Sequence, residues 1–403
     1  MADKPKTIEA VYRVSTPMFC GGADQQAELR AASFKGVLRF WWRALAWGRT
    51  PDASTLRKEE ATLFGSSDEN VGQAKFLMKL DSRKAPEPIP KKTQLKDGKI
   101  VVGEGARYLG YGVMEAFASR IKGTMVGELT RECLAVSFEF VVLILPKPDM
   151  NDQQKGQIID ALKLIGLLGG MGGKSRKGYG SLSLVELRDG DKASWQAPRG
   201  VHELAAELRK PPFVSSTEPE WTAFSKGSRV IIVSPDNSGG TPLGLLDRIG
   251  RELMRFRSWG HNGRVLGADS ERNFKEDHDL MKQHPNDRKN HPRRVAFGLP
   301  HNYGKNFQEQ VGPADGELDR RASPLFIHIH QPYSDVLPLG VLTFLPSRFL
   351  PKQRSDIDVG GKILPLDETN LWQPIHEFLN RMLGTSTCER KEPFGDVREV
   401  QHG

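Results

Sequence analysis

Hydrophobic and polar positions change period several times along the chain, and each change marks an element. Thr7 to Phe19 alternates loosely, as a half-buried strand does. After Gly21-Gly22, the stretch from Ser33 to Trp47 repeats apolar residues at helical spacing, with Ser33 as N-cap and Gly48 just past the end. Phe34, Val37, Leu38, Trp41, Ala44 and Leu45 share one broad apolar face of this helix. Lys35, Arg39 and Arg43 form a narrow basic stripe without an acid, and Trp42 lies along its edge. A shorter helical pattern surrounds Leu56 to Phe64, and Lys75 to Leu80 and Leu134 to Leu145 read as strands. Asn151 to Leu168 carries Ile158, Ile159, Leu162, Ile165 and Leu168 at three- and four-residue spacing, a further helix. A glycine-rich loop and the alternating strand Ser181 to Leu187 follow.

The first half therefore reads strand, helix, strand, insertion, strand, helix, loop, strand. That is close to the βαββαβ order of ferredoxin-like, RRM-like domains, without the aromatic signatures by which RNA-recognition motifs stack bases. Residues 1–195 form this first domain, with an insertion at about 49–130 and the glycine-rich loop at 169–180. A polar, proline-containing break with a short helix at Val201 to Arg209 leads into a second domain, 196–403. Its pattern predicts strands at Arg229 to Ser234, Val295 to Leu299, Leu325 to His330 and Leu339 to Phe344, and helices at Pro242 to Trp259 and Glu368 to Leu383. Residues 260–294 form a charged insertion, and 385–403 read as a flexible tail. The expected fold class is α+β, two ferredoxin-like domains with insertions.

The loop carries Gly169, Gly170, Gly172, Gly173, Gly178 and Gly180 around Lys174, Arg176 and Lys177. Gly173-Lys174-Ser175 matches the end of a P-loop, but Leu168 stands where its first glycine belongs. The loop also joins helix to strand, the reverse of a P-loop or Rossmann turn, and lacks G-x-G-x-x-G. No nucleotide cofactor is expected. Glycines let a backbone approach a ligand closely, successive N–H groups can cradle anions, and three cations in four residues suit a polyanion.

Composition supports that direction. The net charge is +8 and the pI about 9.3, which favours association with a polyanion such as RNA. Three cysteines, far apart and odd in number, give no disulfide framework and suit a reducing cytoplasm. The stretch MADKPKTIEA has no apolar signal core, and Phe138 to Leu145 is far too short to span a bilayer.

Candidate chemistry is sparse. His328 and His330 alternate on one strand and face one side, but spacing places no third metal ligand. His278, His284, His291 and His301 fall in a charged, proline-rich run that reads as solvated loop. Metal-independent RNA cleavage needs a base and an acid at the 2′-OH and the leaving oxygen. Tyr12 lies in a strand and His202 is the first histidine, so a ribonuclease is the alternative to a non-catalytic RNA-binding protein. In the second half Arg320 and Arg321 precede a strand, while Arg257, His261 and Arg264 follow a helix. Lys35, Arg39 and Arg43 are expected to border one RNA cleft together with Lys174, Arg176 and Lys177.

The stretch TPMFCGGADQQAELRAASFKGVLRFWWRAL (Thr16 to Leu45) resembles the opening of the first subunit of type III-B CRISPR Cmr effector complexes, in the RAMP superfamily. GGMGGKSRKGYGSL (Gly169 to Leu182) is similar to that superfamily's G-rich loop. GLLDRIGRELMRFRSWG (Gly244 to Gly260) and RRASPLFIHIH (Arg320 to His330) are similar to further stretches of the same family. The resemblance implies two ferredoxin-like domains side by side in a ribonucleoprotein that pairs a guide CRISPR RNA with target RNA. It implies other Cmr subunits as partners, no membrane, and a role in capturing or positioning RNA rather than slicing it.

Overall fold

A computed structural model describes residues 6–24, 26–67, 71–82, 86–211, 215, 217–236, 240–260, 262–304 and 306–401. β1 (Ile8–Val14) leads through α1 (Ala31–Arg49) and α2 (Ala53–Phe64) to β2 (Phe76–Asp81). An excursion follows, with β3 (Pro88–Ile89), β4 (Lys96–Asp97), β5 (Ile100–Val101), α3 (Glu104–Leu109) and β6 (Cys133–Leu134). The chain returns as β7 (Glu139–Pro146), α4 (Asp152–Leu168), β8 (Leu182–Asp189) and β9 (Lys192–Gln196). These strands pair antiparallel in the order β2-β7-β1-β8-β9. Alternation along β1 decides the inner face: Ile8, Ala10, Tyr12 and Val14 are buried in one core with α1 and α4. α4 begins with a capping box, in which Asn151 accepts from the Gln154 N–H and Gln154 from that of Asn151. α1 starts two residues before Ser33 and has no side-chain cap, and Trp42, expected at the edge of its basic stripe, is buried in the core.

After α5 (Val201–Leu208) come β10 (Arg229–Val233) and α6 (Pro242–Arg257), then the hairpin β11 (Arg264–Val265) and β12 (Ala268–Asp269) and the helix α7 (Lys275–Lys282). β13 (His301–Asn302) and β14 (Gln310–Pro313) precede β15 (Leu325–His330) and β16 (Leu339–Phe344). The chain closes with β17 (Asp356–Val359), β18 (Ile363–Pro365), α8 (Gln373–Leu383) and β19 (Val397–Glu399). A second antiparallel sheet runs β15-β16-β10-β19. Counted along each β-α-β-β-α-β series, its strands have the same order as β2-β7-β1-β8: second, third, first, fourth. The molecule is thus a mixed α/β chain built on antiparallel sheets. A smaller sheet, β13-β14-β17-β18, has its own core around Val295, Phe349, Ile357 and Val359.

Three expectations are corrected. Arg293–Phe297 is a 3-10 turn ended by Gly298 at φ 107°, not a strand. The tail is ordered through residue 401: Val397–Glu399 pairs with β10, and the N–H groups of Lys391 and Glu392 donate to Glu252. Glu252 in turn pairs with buried Arg381 at 2.7 Å. The charged run at 260–294 is not solvated throughout, because buried Arg288 donates to the carbonyls of Met281, Gln283, Gln308 and Val359. Sequence shows the charges of this run but not the distant carbonyls that receive them.

The second sheet is buried on both faces, which explains the near-continuous apolar runs of β15 and β16. Leu325, Ile327 and Ile329 join a core with α6 and α8, while Phe326 joins the core of α1 and α4. The layers therefore run sheet, helices, sheet, helices. The excursion crosses to the second half, where α3 packs on α6. A β-carbon on Gly105 would lie 2.0 Å from the Asp247 carbonyl oxygen, and one on Gly250 would lie 2.3 Å from that of Gly105. Asp247 also accepts from the Ala106 N–H at 2.9 Å. Gly250→Ala should therefore lower stability by about 1–3 kcal/mol through overpacking. Gly156→Ala in α4, with open space around it, should raise stability by about 0.5–1 kcal/mol. Urea unfolding of both variants measures the difference.

Candidate nucleic-acid interface

The glycine-rich loop lies along the free edge of β15. The Arg176 carbonyl accepts from Ile327 N–H at 3.0 Å, Ser181 Oγ from Ile329 N–H at 3.0 Å, and Ser183 Oγ from Gln331 N–H at 2.8 Å. From the other side His328 Nδ1 donates to the Gly169 carbonyl at 2.7 Å, closing an end of α4, and His330 sits between the carbonyls of Gly166 and Pro198. Burial pushes His328 down to about 3, so it is neutral near pH 7, and lowers His330 as well. Glycine is required where the loop is pinched. Gly178, at φ 86°, would put a β-carbon 2.4 Å from Leu246 on α6, and Gly180, at φ 62°, would put one 2.1 Å from the Met171 oxygen.

The loop's amides are largely occupied. Met171 N–H bonds to Gly180, Gly173 to Phe19, Lys177 and Tyr179 to Lys174, and Gly180 to Pro17. This corrects the expectation of free N–H groups cradling an anion: those amides hold the loop itself together. Arg176 is also engaged, stacked between Phe40 and Phe326 at 5.4 and 4.6 Å and donating to the Ser323 carbonyl at 2.9 Å. Lys174 is exposed. Lys177 is different again. Its stem is partly exposed, but its ammonium is buried without a hydrogen-bond partner.

Lys177 also lines a cavity of about 600 Å³ between the two halves. Among the described residues, Arg107, Lys174, Lys177, Arg257, Arg294 and Arg321 line it, against a single carboxylate, Glu104. Lys174 and Lys177 come from the loop, and the four arginines from other supports. Arg107 is fixed on α3 by donating to the carbonyls of Val102 and Ala116. Arg257 ends α6 over the Phe297 ring at 4.5 Å, with its Nε buried and unpartnered. Arg294 donates to the Arg257 carbonyl, and Arg321 to Phe349 and Ser347. Burial, then Arg257, Lys174 and Arg176, push the Lys177 ammonium down to about 7. His301 receives the same treatment from burial, Arg257 and Arg294, falls to about 3, and gives its N–H to the Arg294 carbonyl. A low-dielectric pocket with six cations and one acid concentrates anions.

The basic stripe of α1 lines no part of this cavity. Arg39 and Arg43 share Glu60 at 2.9 and 3.6 Å, and Lys35 borders a separate groove with Ala74 and Phe76. α1 and the loop do meet, through Gly36, Val37 and Phe40 against Ser175 and Arg176. Arg320 is exposed beside Asp319, and Arg264 lies 3.8 Å from Asp269. His261 lies outside the described residues. Tyr12 is core, donating its hydroxyl to the Leu162 carbonyl. Sequence reading passed over Arg107, Arg294, Tyr108 and Tyr111. The signal for three of them was the basic-aromatic run Arg107-Tyr108-Leu109-Gly110-Tyr111 inside the insertion. Among the described residues, no cluster of His, Cys, Asp and Glu could hold a metal, and no helix is long and apolar enough to cross a membrane.

Residues 11–183 match the model of the RAMP superfamily. Within that class the chain is similar to the CRISPR system Cmr subunit Cmr1-2 of Pyrococcus furiosus, 29% identical over 188 residues that span 45% of this chain and 97% of that protein. The crystal structure of Cmr1 from Pyrococcus furiosus in its apo form shares the fold over 98% of this chain and 99% of its own, with 17% identity and a TM-score of 0.54. A chain of the type III-B Cmr-beta complex bound to cognate target RNA covers 87% of this chain at 10% identity and a TM-score of 0.49.

Folding carries Lys177 from its ordinary 10.5 to about 7, so between these values the unfolded chain binds more protons than the folded one. Stability attributable to this residue therefore rises with pH across that window. Below it both states carry the charge and the full penalty is present. Lys177→Met should raise stability by a few kcal/mol at pH 7 and below, and the gain should fade toward pH 10.5. Thermal unfolding across a pH series checks both the sign and the window.

Proposed function

We propose that this chain is a non-catalytic RNA-positioning subunit of a type III-B Cmr CRISPR effector, built of two ferredoxin-like halves. In this reading the cavity between the halves grips the phosphates of single-stranded guide or target RNA, in the cytoplasm, beside other Cmr subunits, in antiviral defence. The observation that carries it is the surplus of cations in the cavity, with the Lys177 ammonium and Arg257 Nε buried and unpartnered. An isolated buried charge opposes folding, and chains retain such strain where a ligand uses it. The RAMP match and the similarity to Cmr1-2 support the assembly, and the repeated strand order supports two halves of one type. Lys174, Lys177 and Arg321 are assigned phosphates together with Arg107, Arg257 and Arg294. Arg176 is assigned the seam between the halves. Lys35, Arg39, Arg43 and Arg320 are left outside the cavity contact. The chain needs no cofactor for this task, and sequence choice rests with base pairing of the guide.

One feature favours a second reading. A lysine held near pH 7 is in the range of a general acid or base, which suits a metal-independent ribonuclease. One experiment separates the two: binding of labelled single-stranded RNA across a salt series in chelator, with the same samples examined for cleavage. The paired change Lys174→Ala with Lys177→Ala should weaken binding about tenfold or more. It should also flatten the salt slope by about 0.7 for each phosphate no longer neutralised, while Lys35→Ala leaves both nearly unchanged. Intact RNA throughout fits positioning. Cleavage that disappears with Lys177→Ala would establish the ribonuclease instead.

A further inference from the structure

The excursion between β2 and β7 exposes large apolar side chains beside the most cationic part of the molecule. Tyr111 is 72% exposed, Phe117 71% and Ile121 fully exposed. Tyr111 and Phe117 also line the interdomain cavity, together with Lys174 and Lys177. The Lys174 ammonium stands near the backbone just after Tyr111, since a β-carbon on Gly112 would lie 4.0 Å from its Nζ. An isolated exposed ring needs no explanation, but two at one cationic cavity do.

The backbone that presents the rings is pinned. Thr130 Oγ1 donates to the Gly112 carbonyl at 3.2 Å, Thr130 N–H to Val113 at 3.1 Å, and Glu115 N–H to Glu128 at 2.8 Å. The residue before Phe117 is held by Arg107, whose Nε donates to the Ala116 carbonyl at 3.1 Å. Arg107 thus lines the cavity and anchors the platform at once. Rings fixed before binding lose little conformational entropy when a planar partner arrives.

We infer that this excursion is the base-stacking arm of the cavity: Tyr111 and Phe117 take the faces of unpaired RNA bases whose phosphates lie on Lys174 and Lys177. The inference rests on the reading of the cavity as an RNA site and adds the ligand's form. A single strand offers free base faces, and aromatic rings interleaved with cations are how sequence-tolerant single-strand sites are built. A duplex hides those faces in its own stack, and A-form RNA presents only backbone and minor groove. The site therefore prefers single-stranded RNA and tolerates any sequence.

The test uses the full chain and three fluorescein-labelled probes: a short single-stranded RNA, the same backbone without bases, and a hairpin duplex. Tyr111→Ala with Phe117→Ala should weaken the base-bearing single strand about tenfold or more. Abasic binding and the salt slope should stay as in the unaltered chain, which should itself prefer the single strand to the hairpin. Tyr111→Phe with Phe117→Tyr, which keeps both rings, should bind as the unaltered chain does. Both rings are exposed, so unfolding temperatures should not move. Equal losses on the base-bearing and abasic strands would overturn the inference, because the rings would then serve folding or a protein contact. So would unchanged affinity for the base-bearing strand while Lys174→Ala with Lys177→Ala still weakens it, and that result would leave the RNA reading of the cavity standing. Failure of both the ring and the lysine variants to alter binding would remove the RNA reading as well.

Discussion

β15 is an edge strand whose outward N–H groups have no neighbouring strand, and how they are satisfied governs how the two halves fit. Buried amides need acceptors, and an open edge invites pairing with whatever chain comes near. Here the first half supplies the acceptors at the two-residue spacing of a strand. The Arg176 carbonyl, Ser181 Oγ and Ser183 Oγ receive Ile327, Ile329 and Gln331 in turn. The end of the glycine-rich loop and the start of β8 together take the place of a neighbouring strand. The loop's glycines serve close approach, to Leu246 at Gly178 and to Met171 at Gly180, more than exposure of amides to a ligand.

Fixing the loop against β15 also fixes where its cations go. Arg176 is stacked between Phe40 and Phe326 from opposite halves and becomes part of the seam. Lys177, one residue on, lines the cavity with its ammonium buried near Arg257, Lys174 and Arg176, and no carboxylate among the described residues bonds to it. The fold thus holds positive charge in a place where charge opposes folding. Away from the cavity buried charge is matched, as Arg381 is by Glu252 at 2.7 Å. The contrast between matched and unmatched cations separates the seam that supports the molecule from the cavity that can take an anion.

The excursion makes the cavity possible. α3 approaches α6 so closely that only glycines fit at Gly105 and Gly250, and this contact delivers Arg107 and the Tyr111–Phe117 turn to the cavity wall. An insertion in the first half therefore completes a surface of the second.

Periodicity in the sequence was enough for the main strands and helices of both halves, including α1, α4, α6, β15 and β16, because neighbours three or four residues apart, or two apart, decide which face is apolar. The glycines and cations of the loop were legible for the same local reason. What each cation does was not. Lys35, Arg39, Arg43, Lys174, Arg176 and Lys177 read alike in sequence, yet Glu60 takes two, two aromatic rings take one, the cavity takes Lys174 and Lys177, and Lys35 borders a separate groove. The tail at 385–403 read as flexible because the partners of its described part, Glu252 and β10, lie more than a hundred residues away. Sequence alone determined the elements, the positive charge and the likeness to a family. Tertiary structure decided which charges are neutralised and where the cavity lies, because an ion pair or a pocket wall depends on distances in space between residues far apart in the chain.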